Sequence, residues 1–247
     1  MRLKCLGCEV MARPIYLCAA HSPHIVDVEM LQRGLHNTPS NLRAHLQSRI
    51  DSAADQGYDA VVMAYGLCGQ STVGLTARDT PLVVPRAHDC ITLFLGSRAR
   101  YNQQFQQHTG TYWYTLDYVE RSDGSDSALA LGSGTDTQLE EVYNEYVEKY
   151  GEDNADYLME VMGAWQDHYK RAAYIDLGVG DGSTVEAQAR ADATRRNWTF
   201  ARVAGDLVLI RRLLEGDWDQ DFLVLQPGQQ LTMTYDDDII GCRLAEE

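Results

Sequence analysis

Positive charge is scarce in this sequence. It carries 21 Lys and Arg against 36 Asp and Glu, a net charge of −15 with a pI near 4.8. Binding to nucleic acid or to an anionic membrane surface needs clustered Lys and Arg, so neither partner is expected. Long apolar runs are missing too. No stretch approaches the ~18 residues of a membrane span. The opening residues MRLKCLGCEVMARP hold no long apolar core and no small-residue cleavage site, so no signal peptide is expected. A cytoplasmic location follows as the expectation, and there thiols stay reduced. Six cysteines are too few for a disulfide scaffold and in that setting point to metal or thiol chemistry. Walker-type GK[ST] and GxGxxG motifs do not occur. These gaps leave a small-molecule substrate as the expected partner.

At 247 residues, 45% hydrophobic and 23% charged, the chain is long enough for one large or two small globular domains. Its central stretch is residues 58–96, YDAVVMAYGLCGQSTVGLTARDTPLVVPRAHDCITLFLG. Two apolar runs, 60–64 and 82–84, have the length and continuity of buried parallel strands. Before them, 2–6 reads as a strand ending at Gly7-Cys8-Glu9, 11–20 as a helix with Pro14 in its first turn, and 25–30 as a strand. Ser40 opens a helix whose stripe is Leu42, Leu46, Ile50 and Ala53, stopped by Gly57. After them, 90–107 reads as one helix and 111–119 as a strand.

Residues 122–134 are rich in Ser, Gly and Asp and read as a linker. A helix follows with Leu139, Val142, Tyr143, Tyr146, Val147 and Tyr150 inward, and a second begins near Asn154 with Leu158, Met159, Met162 and Trp165 inward. The last third alternates: strand 172–177, helix 185–196, strand 199–203, helix 206–214, strand 222–225. That rhythm implies parallel βαβ units. The expected fold is α/β, with two Rossmann-like layered lobes of mostly parallel sheets and a helical segment between them. The N-terminal lobe is 1–121, the linker 122–134, and the helical pair with the C-terminal lobe 135–247.

In open α/β sheets, ligands bind beyond the carboxyl ends of the strands. The two central strands end in Gly66-Leu67-Cys68-Gly69 and in Pro85-Arg86-Ala87-His88-Asp89-Cys90. A His and a Cys two apart, with a thiol from the neighbouring strand, suit tetrahedral zinc with one position left open. Cys68, His88 and Cys90 are therefore candidate ligands. Cys8 joins them if 2–6 is a parallel strand, because it then lies on the same edge. The structural alternative makes the cysteines small buried residues and has His88 bond a carbonyl. Glu9 and Tyr65 are candidate proton-handling groups. Arg86 and Arg78 are candidates to hold an anionic substrate group.

Other features read as structure. Cys5-x-x-Cys8 lacks a second CxxC, and Cys18 packs on the first helix. His21-Ser22-Pro23-His24 is a solvated turn. Gly178–Ser183 is a βα turn at the rim of a substrate crevice. Asp217-Trp218-Asp219 and Asp236-Asp237-Asp238 are acidic turns, and Cys242 lies in a terminal tail.

The segments AYGLCG, PRAHDCITLFLGS and GTYWYT, with the later GDW and DFLVLQPG, resemble the bacterial and archaeal family of domain of unknown function 1638. The resemblance implies an association with corrinoid-dependent methyltransferases. Separately, His88-x-Cys90 with a distant Cys is similar to the zinc motif of thiol-methylating enzymes such as cobalamin-independent methionine synthase, where the metal binds the thiol substrate and lowers its pKa. Those enzymes are barrels and this chain has too few βα units for one, so the similarity concerns the site alone. The functional expectation is a zinc-dependent enzyme in one-carbon or thiol methyl or alkyl transfer. Its rivals are a 4Fe-4S cluster on Cys8, Cys68 and Cys90 with one iron open to substrate, and an accessory protein carrying a metal or corrinoid for a methyltransferase partner. A closed structural zinc site is the remaining alternative.

Overall fold

The computed structural model describes residues 1–121, 147, 151 and 169–245. In chain order these form β1 (Arg2–Cys8), α1 (Ala12–His21), β2 (Ile25–Leu31), α2 (Pro39–Ala53), β3 (Ala60–Ala64) and β4 (Leu82–Pro85). Then come α3 (Cys90–Leu95), α4 (Arg98–Gln107), β5 (Thr111–Tyr114), α5 (Leu116–Glu120), β6 (Arg171–Asp176) and α6 (Ser183–Arg195). The chain closes with β7 (Thr199–Ala204), α7 (Val208–Glu215), β8 (Phe222–Leu225), β9 (Gln229–Met233) and β10 (Ile240–Leu244).

The first sheet has the order β2-β1-β3-β4-β8; its first four strands are parallel and β8 is antiparallel to β4. AVVMA and LVVP are buried at every position, which is why they show no alternation. Each fully buried Val or Leu contributes about 1.5–3 kcal/mol, so the two runs anchor the lobe. The chain leaves β1 in one direction to reach β2 and returns past it to reach β3. Right-handed crossovers therefore set α1 and α2 on opposite faces, and the strand order reverses between β1 and β3. Gly7 marks the α1 face: a Cβ there would lie 2.6 Å from Ile15 Cδ1.

The second sheet, β5-β6-β7, is wholly parallel and packs α6 on a core of Tyr114, Ala172, Tyr174, Val185 and Ala189. It meets the first lobe through helix ends and the loop after β7. Asp206 N donates to Phe94 O (2.9 Å), and Arg13 N donates to the buried Asp117 carboxylate (2.9 Å). The expected α/β architecture with two parallel-stranded lobes is present. The two sheets interleave along the chain, however: β5 precedes residue 121 and lies in the second sheet, while β8 returns to the first.

Local departures have visible causes. Residues 90–107 are two helices, because Gly96 ends α3 in a left-handed conformation (φ 69°) and the Ser97 hydroxyl caps α4 by accepting from Arg100 N. Residues 111–119 leave the strand at Tyr114, where the Thr115 hydroxyl accepts from Tyr118 N and starts α5. Cys242 sits in β10 of an antiparallel hairpin, not in a tail. The linker 122–134 and the two helices expected over 137–165 lie outside the described residues, apart from Val147 and Gly151.

Candidate functional site

The loops after β3 and β4 are sewn together. Leu67 N donates to Ala87 O (2.8 Å) and Cys68 N to His88 O (2.9 Å). Gly66 permits this approach, since a Cβ there would meet Asp89 Cα and N at 2.7 Å. The turn that follows runs through positive φ at Cys68 (47°), Gly69 (62°) and Gln70 (69°). For a cysteine this is an uncommon conformation, held by the two cross-loop bonds. Asp89 turns inward: Oδ1 accepts from Ile91 N (2.9 Å) and Thr92 N (3.4 Å), capping α3, and Oδ2 accepts from Tyr101 Oη (3.1 Å). Burial pushes the Asp89 carboxyl above the ordinary carboxylate range despite those donors.

Cys8, Cys68 and Cys90 come to one neighbourhood at the carboxyl ends of β1, β3 and β4. Burial raises the Cys8 and Cys68 thiols to about 12, and a charge on Cys8 raises Cys68 further. Burial takes Cys90 well above its usual value, and Asp89, Cys68 and Cys8 add to the rise. Beside Cys8 and Cys68 lies Tyr65, fully buried, its hydroxyl against Cys8 yet without a partner of regular hydrogen-bond geometry. Burial, then the charges of Cys8 and Cys68, hold that hydroxyl protonated. The loop after β2 adds His36, stacked on Tyr65 with ring centroids 5.9 Å apart. Burial lowers the His36 pKa, and its Nδ1 pairs with Arg33 O at 3.0 Å.

The other sequence candidates divide. Glu9 is in the neighbourhood, where its carboxylate accepts from Arg33 N at 2.6 Å and adds negative charge near Cys8 and Tyr65. His88 is exposed and stacks on Tyr101, centroids 5.8 Å apart. Arg86 donates to Asp238 O (3.0 Å) and to Ile240 O, which ties the β9–β10 hairpin to the sheet. Arg78 pairs with Asp51 at 2.6 Å near the carboxyl end of α2, on the opposite edge of the sheet from the thiols. Asp217 and Asp219 both pair with Arg212, and His24 bonds Glu215 O, so these motifs are structural. No group of three or more His, Cys, Asp or Glu among the described residues is arranged to hold a metal ion. Charge coupling reaches farther than the ~2.3 Å of a metal–thiolate bond, so the three thiols are neighbours without being gathered about one point.

Arg33, His36, Asp89 and Tyr101 were not singled out from the sequence. The strand-end rule covers the first two once it is applied to β2 as well as to its neighbours. The thiol edge opens onto a cleft between α3, α4 and the β5 side of the second lobe. A 190 Å³ recess reaches Cys90, Ile91 and Phe94, and it shares Tyr112, Trp113 and Tyr118 with a 1110 Å³ cleft that reaches Asp89 and Tyr101. No helix among the described residues is long and apolar enough to cross a membrane.

A family model described as "Protein of unknown function (DUF1638)" matches residues 30–214. No curated protein and no solved structure matches the chain.

Proposed function

The chain belongs to the DUF1638 family, and because that description assigns no activity, we propose one from the site: a metal-dependent enzyme with Cys8, Cys68 and Cys90 as ligands. The reaction class is one-carbon or thiol alkyl transfer on a small molecule. The observation that carries the reading is that Cys8, buried, and Cys68 and Cys90, half-buried, are electrostatic neighbours from three adjacent strand ends, with the Tyr65 hydroxyl beside the first two. An orphaned buried donor is costly and asks for an acceptor. By donor type the set matches a thiophilic centre, either zinc or a 4Fe-4S cluster with one open position, but the side chains stand apart and would have to turn in to a common point to hold it. Compared with the expected trio of Cys68, His88 and Cys90, Cys8 takes the place of His88, which stacks outside on Tyr101.

Bound there, such a centre supplies a Lewis acid that lowers the pKa of a thiol substrate. The chain's own groups set the conditions. Three thiols with raised pKa values keep their protons until a soft cation displaces them, so metal uptake is strongly pH-dependent. Tyr65 Oη stays protonated and donates to a negative atom arriving beside Cys8. Arg33 N–H holds the Glu9 carboxylate in place, and Phe94, Trp113 and Tyr118 limit water in the recess next to Cys90.

A second reading is an accessory protein that carries a metal or corrinoid for a methyltransferase partner. The 1110 Å³ cleft favours it, because that volume lies at the top of the range for small-molecule sites. It predicts a stoichiometric complex and no turnover alone.

The test is elemental analysis of anaerobically purified protein. Metal present in the wild type and in His88→Ala but lost from Cys8→Ala and Cys68→Ala supports the three-thiol centre. Metal lost from His88→Ala restores the histidine set. Unchanged content in all variants, or none in the wild type, ends the assignment. A brown colour separates iron–sulfur from zinc.

A further inference from the structure

We propose that the cleft beside the thiols binds an organic cation of the alkylated-ammonium class. This adds a ligand to the cleft and does not depend on a metal. The walls are aromatic and come from both lobes: Tyr101 and Phe105 on α4, Tyr112 and Trp113 on β5, Tyr118 on α5, and Tyr169 before β6. Tyr101 and Phe105 stack nearly parallel, 6.2 Å between centroids with planes 12° apart. Phe105 is 62% exposed, on a helix with no buried residue, so packing does not explain it. Aromatic faces attract weakly hydrated cations, and alkylated ammonium groups most readily.

Asp89 supplies the matching charge. It is the one acidic side chain among the described lining residues, and no described Lys or Arg forms an ion pair with it. A half-buried carboxylate with no described Lys or Arg against it, and only the exposed His88 ring nearby, gains from a cation that enters the cleft. The basic lining groups, Lys170 and His108, are exposed, and Arg33 and Arg171 already lie over the Tyr118 and Trp113 rings at 4.2 and 5.8 Å, so a ligand cation would lean on Phe105 and Asp89. A divalent metal ion wants several oxygen ligands, and one carboxylate does not meet that need. The net charge of −15 draws cations toward the molecule at long range.

Isothermal titration of the full chain tests this, with choline as probe and 3,3-dimethylbutan-1-ol as its uncharged isostere. Choline is expected to bind at least ~10-fold tighter than the alcohol, and Asp89→Asn and Phe105→Ala each to weaken it ~3–10-fold. Asn caps a helix about as well as Asp, so Asp89→Asn keeps α3, and exposed Phe105 is not needed for folding. Equal binding of choline and the alcohol, no binding of choline, or full affinity in both variants overturns the proposal. Cys68→Ala is titrated alongside and is expected to bind choline as the wild type does. Choline binding by a wild type without metal would sink the metal reading alone.

Discussion

Replacing Gly66 by Ala isolates the geometry on which the site rests. The added methyl would stand 2.7 Å from Asp89 Cα and N and 2.9 Å from its carbonyl carbon. Those atoms are backbone, so no side chain can swing aside, and the loops after β3 and β4 must part. Parting them loosens the Leu67–Ala87 and Cys68–His88 hydrogen bonds, of 2.8 and 2.9 Å. Two such bonds are worth ~2 kcal/mol together, and overpacking costs ~1–3 kcal/mol. The expected loss is ~3–5 kcal/mol, a large share of a domain's ~5–15 kcal/mol. With a slope near ~3 kcal/mol/M, the urea midpoint falls by ~1–1.7 M. Gly34→Ala is the control: a Cβ there meets nothing within 4 Å, and stability should stay within ~0.5 kcal/mol of wild type. Metal content, read in the same preparations, should fall in Gly66→Ala alone. A Gly66→Ala protein with wild-type midpoint and metal would refute the loop-contact argument.

Three further outcomes follow from the same contacts. Burial lifts Cys5, Cys8 and Cys68 to about 12, whereas unfolded thiols ionise near ~8.5. The folded state therefore holds these protons more tightly. Stability is full below pH ~8.5, is lost as pH rises through about 12, and falls by up to ~1.4 kcal/mol per pH unit per thiol. Urea midpoints of apoprotein should drop steeply between pH 8.5 and 10.5 and less steeply in Cys5→Ala; a flat profile contradicts this. Tyr101→Phe removes the donor to Asp89 Oδ2. Because the folded Asp89 carboxyl is raised, its stabilising share is present at low pH and lost as pH climbs through its folded pKa. Only the ionised form needs the donor strongly, so the variant's deficit should be ~1–2 kcal/mol at pH 8 and smaller at pH 4; equal deficits argue against a buried ionised Asp89. Arg86→Ala should cost ~1–3 kcal/mol by freeing the hairpin, with metal content and choline affinity unchanged. Lost ligand affinity at unchanged stability would return Arg86 to an anion-binding role.

Much of the first lobe was legible because its strands are continuous apolar runs and its turns carry Gly or Pro. The α3–α4 break was written in the adjacent Gly96 and Ser97, a stop and a cap that reading 90–107 as one helix passes over. The β9–β10 hairpin was not legible. β9 holds two Gln and a Thr in five residues, and its partners at Gly74, Leu75 and Ala77 lie some 150 positions away in the chain. Strand ends located the thiols, yet side-chain direction within His88-Asp89-Cys90 was beyond pattern. Asp89 folds in to cap α3 and Cys90 begins that helix, which leaves His88 outside on Tyr101. By itself the sequence determined the parallel α/β framework and the edge where the cysteines gather, since buried strands and crossovers are written in local composition. Only the tertiary structure decided that Cys8, Tyr65 and His36 share a neighbourhood, that Arg86 bonds the β9–β10 hairpin and Arg78 bonds Asp51, and that aromatic side chains from two lobes line a cleft with Asp89. Those relations join residues far apart in the chain, and packing alone sets them.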